Sequence, residues 1–228
     1  MNKQYNIPYS KAKEFIEEGD VLLFKGKGFA AWWIKKAGQG EHTHVGLASW
    51  PNHKVLEILE FREGNPLALI FGRSGTGEGH AVILSRQVKS HDGRIDVYRP
   101  SKRHQNIIFD GESETVKYKT VIFNGKKITN AFRRLTGQPY GWKTIWGFVK
   151  YSMFGLRLIY NTTKRVLDDT FVDQNFPVCS TSVAMVFRDK YVDLVPNKSD
   201  SGTIPADLSR SSTLNYLFTL TWDDSDET

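Results

Sequence analysis

The sequence predicts an α+β protein built on an antiparallel sheet or half-open barrel, with helices packed against it. The first observation is a succession of short apolar runs, each bounded by turn residues, which is typical of antiparallel strands. The second is a set of segments with helical apolar spacing in the early, middle and late parts of the chain. No repeat or linker divides the 228 residues. We therefore expect a single domain over residues 1–222.

The first half of the chain is predicted to begin with a helix over residues 10–18. Its spacing turns Ala12, Phe15 and Ile16 inward, and Gly19 ends it. Apolar runs and glycine positions then predict a helix over residues 29–37 and a series of strands. These strands are expected at residues 20–24, 42–49, 54–61, 81–84 and 94–98.

The second half is predicted to start with a hairpin over residues 105–123, which we interpret as an insertion. A helix over residues 127–136 follows, with Ile128, Ala131, Phe132 and Leu135 on its inward side and Gly137 closing it. An apolar stripe over residues 142–160 is expected to pack on the sheet, or to lie on a membrane surface or a partner. The later elements are a helix from Cys179, a turn at 203–209 capped by Thr203, a strand at 214–222 and a disordered acidic tail at 223–228.

A glycine-rich segment over residues 72–79 holds four glycines. No Gly-Lys-Ser/Thr follows it, and the glycine spacing does not match a dinucleotide fingerprint. We interpret it as a flexible loop, either a lid or a plain surface connection.

The charge of the chain allows several anionic partners. The net charge is +6, and the last seven residues hold four acidic side chains, which leaves +10 on the rest of the chain. Basic runs over residues 25–36 and 117–134 would attract nucleic acid, a teichoic-acid-like polymer or an acidic lipid surface. One candidate function is therefore a non-catalytic or virion-associated module that holds a polyanion.

Targeting signals are not evident in the sequence. The first residues lack the continuous apolar run of a secretory signal, and no stretch has the roughly 18 uninterrupted apolar residues that span a bilayer. Cys179 is the only cysteine, which excludes a disulfide within the chain and fits a reducing compartment. We expect a cytoplasmic or virion-associated protein without a transmembrane segment.

Cys179 lies where a helix is predicted to start. Pro177 suits the first turn, and the hydroxyls of Ser180, Thr181 and Ser182 are expected to serve its free amides. The helix dipole there favours the thiolate, which is the nucleophilic form. The alternative is a small buried apolar side chain, the usual fate of an unpaired cysteine. Helical spacing places Val183, Val186, Phe187 and Lys190 on the same side as Cys179.

Two histidines lie on one predicted strand. Period-two alternation puts His42, His44, Gly46 and Ala48 on one face, and the small side chains would let a helix approach and bring Cys179 to His44. His44 is thus the first candidate base and His42 the second, the alternative being a structural or exposed histidine. His42, His44 and Cys179 could also bind zinc together.

Two carboxylates follow on the next strand. Glu57 and Glu60 are three residues apart, so they face opposite sides of a regular strand, and only one can share the face of His44. From the residues alone, either could orient an imidazole or be a solvated carboxylate.

Three stretches together resemble a known group of enzymes. They are Gly19-Asp20-Val-Leu-Leu-Phe, then His44-Val-Gly-Leu, then Cys179-Ser-Thr-Ser-Val with Ile204-Pro-Ala-Asp-Leu after it. They resemble the circularly permuted papain-like amidases and peptidases of the YaeF/YiiX type, distant relatives of the NlpC cell-wall peptidases and of lecithin:retinol acyltransferase. The resemblance covers roughly residues 15–99 and 126–210. In these proteins the histidine precedes the cysteine, as it does here.

The resemblance implies a permuted papain-like fold with Cys179 as nucleophile and His44 as base. Glu60 best matches the orienting residue, with Glu57 as second choice. The implied reaction is cleavage of an amide bond in a peptide or peptidoglycan fragment through a thioester, with the amide of Cys179 helping to bind the oxyanion. It requires no metal or other cofactor. The hairpin and the glycine-rich segment depart from the family and are expected to reshape the substrate cleft.

Overall fold

A computed structural model describes residues 5–27, 31–32, 35–36, 40–61, 78–110, 115–138, 178–196 and 198–223. This part of the chain is α+β, with one large sheet and a few helices. The strands are β1 Asn6–Pro8, β2 Val21–Lys25, β3 His44–Ser49, β4 Glu57–Phe61, β5 Gly79–Ile83, β6 Arg94–Pro100, β7 Arg103–Asp110, β8 Thr115–Ile122 and β9 Leu214–Thr221. The helices are α1 Tyr9–Ala12, α2 Leu84–Ser90, α3 Gly125–Arg133, α4 Cys179–Lys190 and α5 Pro205–Leu208.

The large sheet is mixed, not purely antiparallel as predicted. Its seven strands lie in the order β1-β9-β6-β2-β3-β4-β5. Neighbouring strands are antiparallel except β1, which runs parallel to β9. The sequence did not predict β1, because three residues are too few to show an alternation.

Core packing covers both faces of the sheet. Val21 and Leu23 of β2 belong to a layer with α3 and α4, whereas Leu22 and Phe24 belong to a layer with α1 and α2. Successive strand residues point to opposite faces, so a strand covered on both sides must be apolar throughout. This explains why β2 is a continuous apolar run.

The first helix is shorter than predicted. α1 ends at Ala12 and continues as a 3-10 turn to Phe15 instead of reaching residue 18. Ala12 and Ile16 are buried as expected, but Phe15 is 62% exposed, which contradicts its predicted inward position. The tighter turn of a 3-10 helix rotates Phe15 away from the stripe that an α-helix would form. Gly19 then reverses the chain at a φ of +84°.

A helix that the sequence did not predict follows β5 directly. Leu84, predicted as the end of a strand, is the first residue of α2, and its N–H donates to the carbonyl of Leu56 at 2.9 Å. The buried residues Leu84, Gln87 and Val88 have helical spacing. Two turns give too short a pattern to distinguish a helix from the end of a strand.

The helix predicted over residues 127–136 is α3, which begins at Gly125. Asn124 caps it by accepting from the N–H of Lys127 at 3.0 Å. The predicted inward residues Ile128 and Phe132 are both buried, each 1% exposed. A Cβ at Gly125 would lie 1.7 Å from the carbonyl oxygen of Glu18. Only glycine therefore lets this helix start so close to the turn before β2.

The cap of α5 differs from the prediction. Ile204, not Thr203, is the residue before the helix, and its N–H donates to the carboxylate of Asp207 at 3.0 Å. The hydroxyl of Thr203 instead donates to the carbonyl of Ser199 at 3.0 Å. A carboxylate in the first turn is as good a cap as a preceding hydroxyl.

The predicted hairpin is present as β7 and β8, paired from Arg103↔Ile122 to Asp110↔Thr115. Its status as an insertion remains a prediction. Most of the glycine-rich segment, the stripe at 142–160, Pro177, much of the predicted helix at 29–37 and the end of the acidic tail lie outside the described residues. Of the helices that are described, none combines the length and the apolar character that crossing a membrane requires.

Candidate active site

Cys179 is the first residue of α4, as the sequence predicted. Its side chain is 5% exposed and belongs to the same core layer as Val183, Val186 and Phe187. Lys190, predicted on the same side, is exposed at the end of the helix. The buried side of α4 therefore includes Cys179, with the sulfur at the N-terminal end of the helix.

The hydroxyls of the first turn do not cap α4 as predicted. Ser180 donates to the carbonyl of Thr203 at 2.6 Å, and Ser182 donates to the carbonyl of Val178 at 3.0 Å. Both residues are inside the helix, where a hydroxyl reaches carbonyl oxygens more readily than N–H groups. Val178, which precedes the helix, makes no side-chain capping bond.

His44 and Glu60 form a hydrogen-bonded pair between adjacent strands. His44 Nε2 lies 2.8 Å from Glu60 Oε2. The register places Gly46 opposite Glu60, so His44 is the diagonal neighbour of Glu60 on the same face. The Glu60 side chain is 0% exposed and that of His44 is 20% exposed. The imidazole is thus held from inside the protein and open on one side.

Glu60 is held in its ionised form. Burial works to raise the pKa of Glu60, but the hydrogen bond and charge of His44, followed by the interaction with His80, lower this pKa to about 2. Near neutral pH the group beside His44 is therefore a carboxylate, which orients an imidazole and stabilises its protonated form.

Cys179 interacts with His44, and its charge and hydrogen bonding act on the pKa of the imidazole. Glu60 occupies Nε2, which leaves Nδ1 as the nitrogen available to the sulfur. Burial works to lower the pKa of His44, yet the charge and hydrogen bond of Cys179, and then Glu60, hold this pKa well above its usual value. This environment favours the protonated form of His44.

Glu57, the second candidate for the orienting role, contacts a different partner. Its Oε2 lies 2.7 Å from Arg133 Nη2 of α3. Strand parity accounts for the difference, because residues three apart point to opposite faces. The structure therefore brings Glu60 to His44, and leaves Glu57 against α3.

His42 binds its own carboxylate. Its Nε2 lies 3.0 Å from Asp96 Oδ2 on β6, and Lys25 Nζ lies 3.1 Å from the same oxygen. Thr219 donates to the other oxygen at 2.5 Å. Burial works to raise the pKa of Asp96, but these three partners lower it to about 2. His42 precedes β3, so the alternation that placed it beside His44 does not apply.

The zinc hypothesis is not supported by the positions of its ligands. The Nε2 atoms of His42 and His44 bind two different carboxylates on different strands. Across the described ranges, no group of three His, Cys, Asp or Glu side chains is placed to hold a metal ion. His42, His44 and Cys179 therefore do not form the predicted three-ligand set.

Position 46 requires glycine for a reason other than the predicted one. A Cβ there would lie 2.6 Å from Ile58 Cδ1 and 2.9 Å from the carbonyl oxygen of Leu59. α4 packs in the layer of Val45 and Leu47, which is the opposite face of β3. The predicted approach of a helix over Gly46 is therefore wrong. His44 and Cys179 are the first residues of β3 and α4, so the interaction between them lies at the ends of these elements.

Two further histidines near this site were not predicted. His80 of β5 pairs with Glu60 across the strands, and its Nε2 lies 3.5 Å from Glu60 Oε1. His91, which follows α2, packs edge-on against Phe24, and the Phe24 ring also contacts His44. Burial, followed by the charge of His44, lowers the pKa of His91. No sequence motif marks either histidine, because their positions depend on strand register and on the path of α2.

The fold is similar to that of a solved structure described as the metalloprotein yiiX from Escherichia coli O157:H7, DUF1105. The TM-score is 0.52 with 12% sequence identity, over 91% of this chain and 99% of that chain. The chain has a yiiX-like fold. At this identity the likeness to yiiX concerns the fold and not the chemistry. No protein-family model and no curated protein matches the chain.

Proposed function

We propose that the protein is a cysteine hydrolase that cleaves an amide bond in a peptide or peptidoglycan fragment. The observation that carries this proposal is the 2.8 Å contact between His44 and Glu60, together with the interaction of Cys179 with the same imidazole. A sulfur nucleophile, an imidazole and a buried carboxylate in this order are the groups that acyl transfer through a thioester requires.

In the proposed reaction, the Cys179 thiolate attacks the carbonyl carbon of the amide, and the carbonyl electron pair moves to oxygen. The N–H of Cys179, at the start of α4, would donate to this oxyanion. His44 then gives its proton to the leaving amine as the C–N bond breaks, which leaves a thioester. Water attacks the thioester after giving a proton to His44, and the thiolate departs. Glu60 orients the His44 ring and stabilises its charge throughout.

The fold supports the proposal through the order of its elements. The histidine strand β3 precedes the cysteine helix α4, as in the permuted papain-like enzymes that the sequence resembles. A yiiX-like fold is compatible with that resemblance, because the sequence resembles enzymes of the YaeF/YiiX type. We therefore propose that the sheet and α4 correspond to the two sides of a permuted papain-like cleft.

A metal-dependent function fits the described residues poorly. The yiiX structure is described as that of a metalloprotein. In this chain, His42 and His44 direct their Nε2 atoms to Asp96 and Glu60, and the described residues contain no group of three ligands suited to a metal. We therefore derive no step of the reaction through a metal.

Alkylation of Cys179 tests the proposal, since the chain has no other cysteine. Iodoacetamide should modify Cys179 with a rate that depends on His44 and that persists below the pH range in which free thiols react. Mass spectrometry of the wild type, His44→Gln and urea-unfolded protein would give the three rates against pH. A folded protein that reacts no faster than the unfolded one, with no effect of His44→Gln, would contradict the proposal.

A polyanion-binding function is the second candidate, and it rests on the net charge of +6. Part of the basic charge is already neutralised within the protein, because Lys25 pairs with Asp96 and Arg133 pairs with Glu57. Retention on immobilised DNA or teichoic acid that decreases steeply with salt would support this function. Full biological function of Cys179→Ala would favour it over hydrolysis.

A further inference from the structure

Glu60 has a second oxygen that His44 does not use. Glu60 Oε1 makes no hydrogen bond among the described residues, and the Glu60 side chain is 0% exposed. A buried carboxylate oxygen without a donor is costly, so a charged neighbour is expected. The group that faces it is His80 on β5, directly across the strand pair, with Nε2 at 3.5 Å.

The His80 ring lies between two acceptors. Nδ1 is 3.0 Å from the carbonyl oxygen of Glu78, and Nε2 faces Glu60 Oε1. Neither a carbonyl nor an ionised carboxylate can donate a hydrogen bond. A neutral imidazole carries one N–H and serves only one of these acceptors. The doubly protonated ring serves both, and it also places a positive charge beside the buried carboxylate.

We propose that His80 is a positioning residue whose protonated form holds Oε1 of Glu60, so that Oε2 stays on His44. When His80 loses its proton, Nε2 presents a lone pair to Oε1, and the carboxylate is free to turn away from His44. The effect on Cys179 rests on the proposed function. The coupling of His80 to Glu60 rests on the geometry alone.

Several titratable groups surround His80 on the described elements. Glu60 faces it from β4, and His44 lies on the far side of Glu60 on β3. Glu78 precedes it in the chain, and His91 after α2 interacts electrostatically with both His44 and Glu60. His44 and His80 therefore share one carboxylate, and the charge of either ring opposes the charge of the other.

Imidazole titrations by NMR test the coupling without any substrate. Glu60→Gln removes the negative charge beside His80, so the titration midpoint of His80 should fall by about one pH unit. His53→Asn is the matched control, because His53 is exposed in the turn after β3 at a φ of +56°, which asparagine accepts. This control should leave the His80 and His44 curves unchanged. A His80 midpoint that does not move in folded Glu60→Gln would overturn the proposal.

The alkylation rate of Cys179 tests the positioning role. In the wild type, the rate should decrease as pH rises through the NMR midpoint of His80. His80→Lys keeps a cation through this range, and the side chain is 26% exposed, which leaves room for lysine. In His80→Lys, the alkylation rate should no longer decrease over this pH range. In His80→Gln, the alkylation rate should be low at all pH values. An unchanged decrease in either folded variant would overturn the role. Alkylation independent of His44, with the NMR coupling intact, would instead contradict only the proposed hydrolase.

Discussion

At the scale of single residues, the two carboxylates of β4 are distinguished by their partners. Glu60 is buried against His44, and Glu57 pairs with Arg133 with 24% of its side chain exposed. Glu60→Gln keeps the size of the side chain but removes the charge that stabilises the imidazolium. We expect the turnover or alkylation rate of Cys179 to fall by at least about a hundredfold. Kinetic measurement against pH, with circular dichroism to verify folding, checks this.

Glu57→Gln is the matched control for this substitution. It removes a partly exposed ion pair, so it should cost less than about 1 kcal/mol of stability and leave the rate of Cys179 within about twofold. Equal rates in the two variants would contradict the assignment of Glu60. A loss confined to Glu57→Gln would reverse it.

At the scale of elements, β3 and β4 are in contact at Gly46. A Cβ at this position would lie 2.6 Å from both Cδ1 and Cγ1 of Ile58. Gly46→Ala should therefore lower the free energy of unfolding by about 1–3 kcal/mol through overpacking. Urea unfolding with a constant m-value would measure this loss.

Ile58→Val provides a direct check of the cause, since it removes the Cδ1 atom that the new methyl group would meet. In the double variant, the cost of Gly46→Ala should be smaller than in the wild type, giving a coupling free energy above about 0.5 kcal/mol. The rescue should be partial, because valine keeps the Cγ1 atom, which lies 2.6 Å from the added Cβ, and the carbonyl oxygen of Leu59 lies 2.9 Å from it. Strict additivity would show that Cδ1 of Ile58 is not the obstacle.

At the scale of the whole molecule, acid stability depends on two buried carboxylates. The pKa of Glu60 falls from 4.5 to about 2, and that of Asp96 falls from 3.8 to about 2. A carboxylate whose pKa is depressed in the folded protein adds stability at pH values above its pKa in the unfolded chain. This stability is lost as pH falls through its pKa in the folded protein. The free energy of unfolding should therefore decrease between about pH 4.5 and 2. Asp96→Asn and Glu60→Gln should each flatten this decrease in urea titrations.

The loss of stability at alkaline pH is expected from a group with a raised pKa. Burial works to lower the pKa of His44, but the Cys179 sulfur and Glu60 raise this pKa above its usual value. The stability that His44 contributes is fully present below its pKa in the unfolded chain, near 6.5. It is lost as pH rises through its pKa in the folded protein. His44→Gln should remove that alkaline decrease and leave the Asp96 contribution at acid pH unchanged. If the free energy of unfolding still decreases at alkaline pH in His44→Gln, another group causes the decrease.

The sequence by itself determined the strand β2, the helix α3 with its inward residues Ile128 and Phe132, the position of Cys179 at a helix start and the placement of Glu57 and Glu60 on opposite faces of a strand. These features depend on local periodicity, parity and capping, which a chain carries in its residue order. Short or irregular elements escaped prediction: β1 has three residues, α2 has two turns, and Phe15 leaves its stripe in a 3-10 turn.

Only the tertiary structure decided which side chains meet across the sheet. His42 and His44 are two residues apart, yet one binds Asp96 of β6 and the other binds Glu60 of β4. Gly46 makes room for Ile58 and not for a helix, and His80 reaches Glu60 through the register of β4 and β5. Strand order, register and the face on which a helix packs are set by contacts between distant parts of the chain, so no local pattern encodes them.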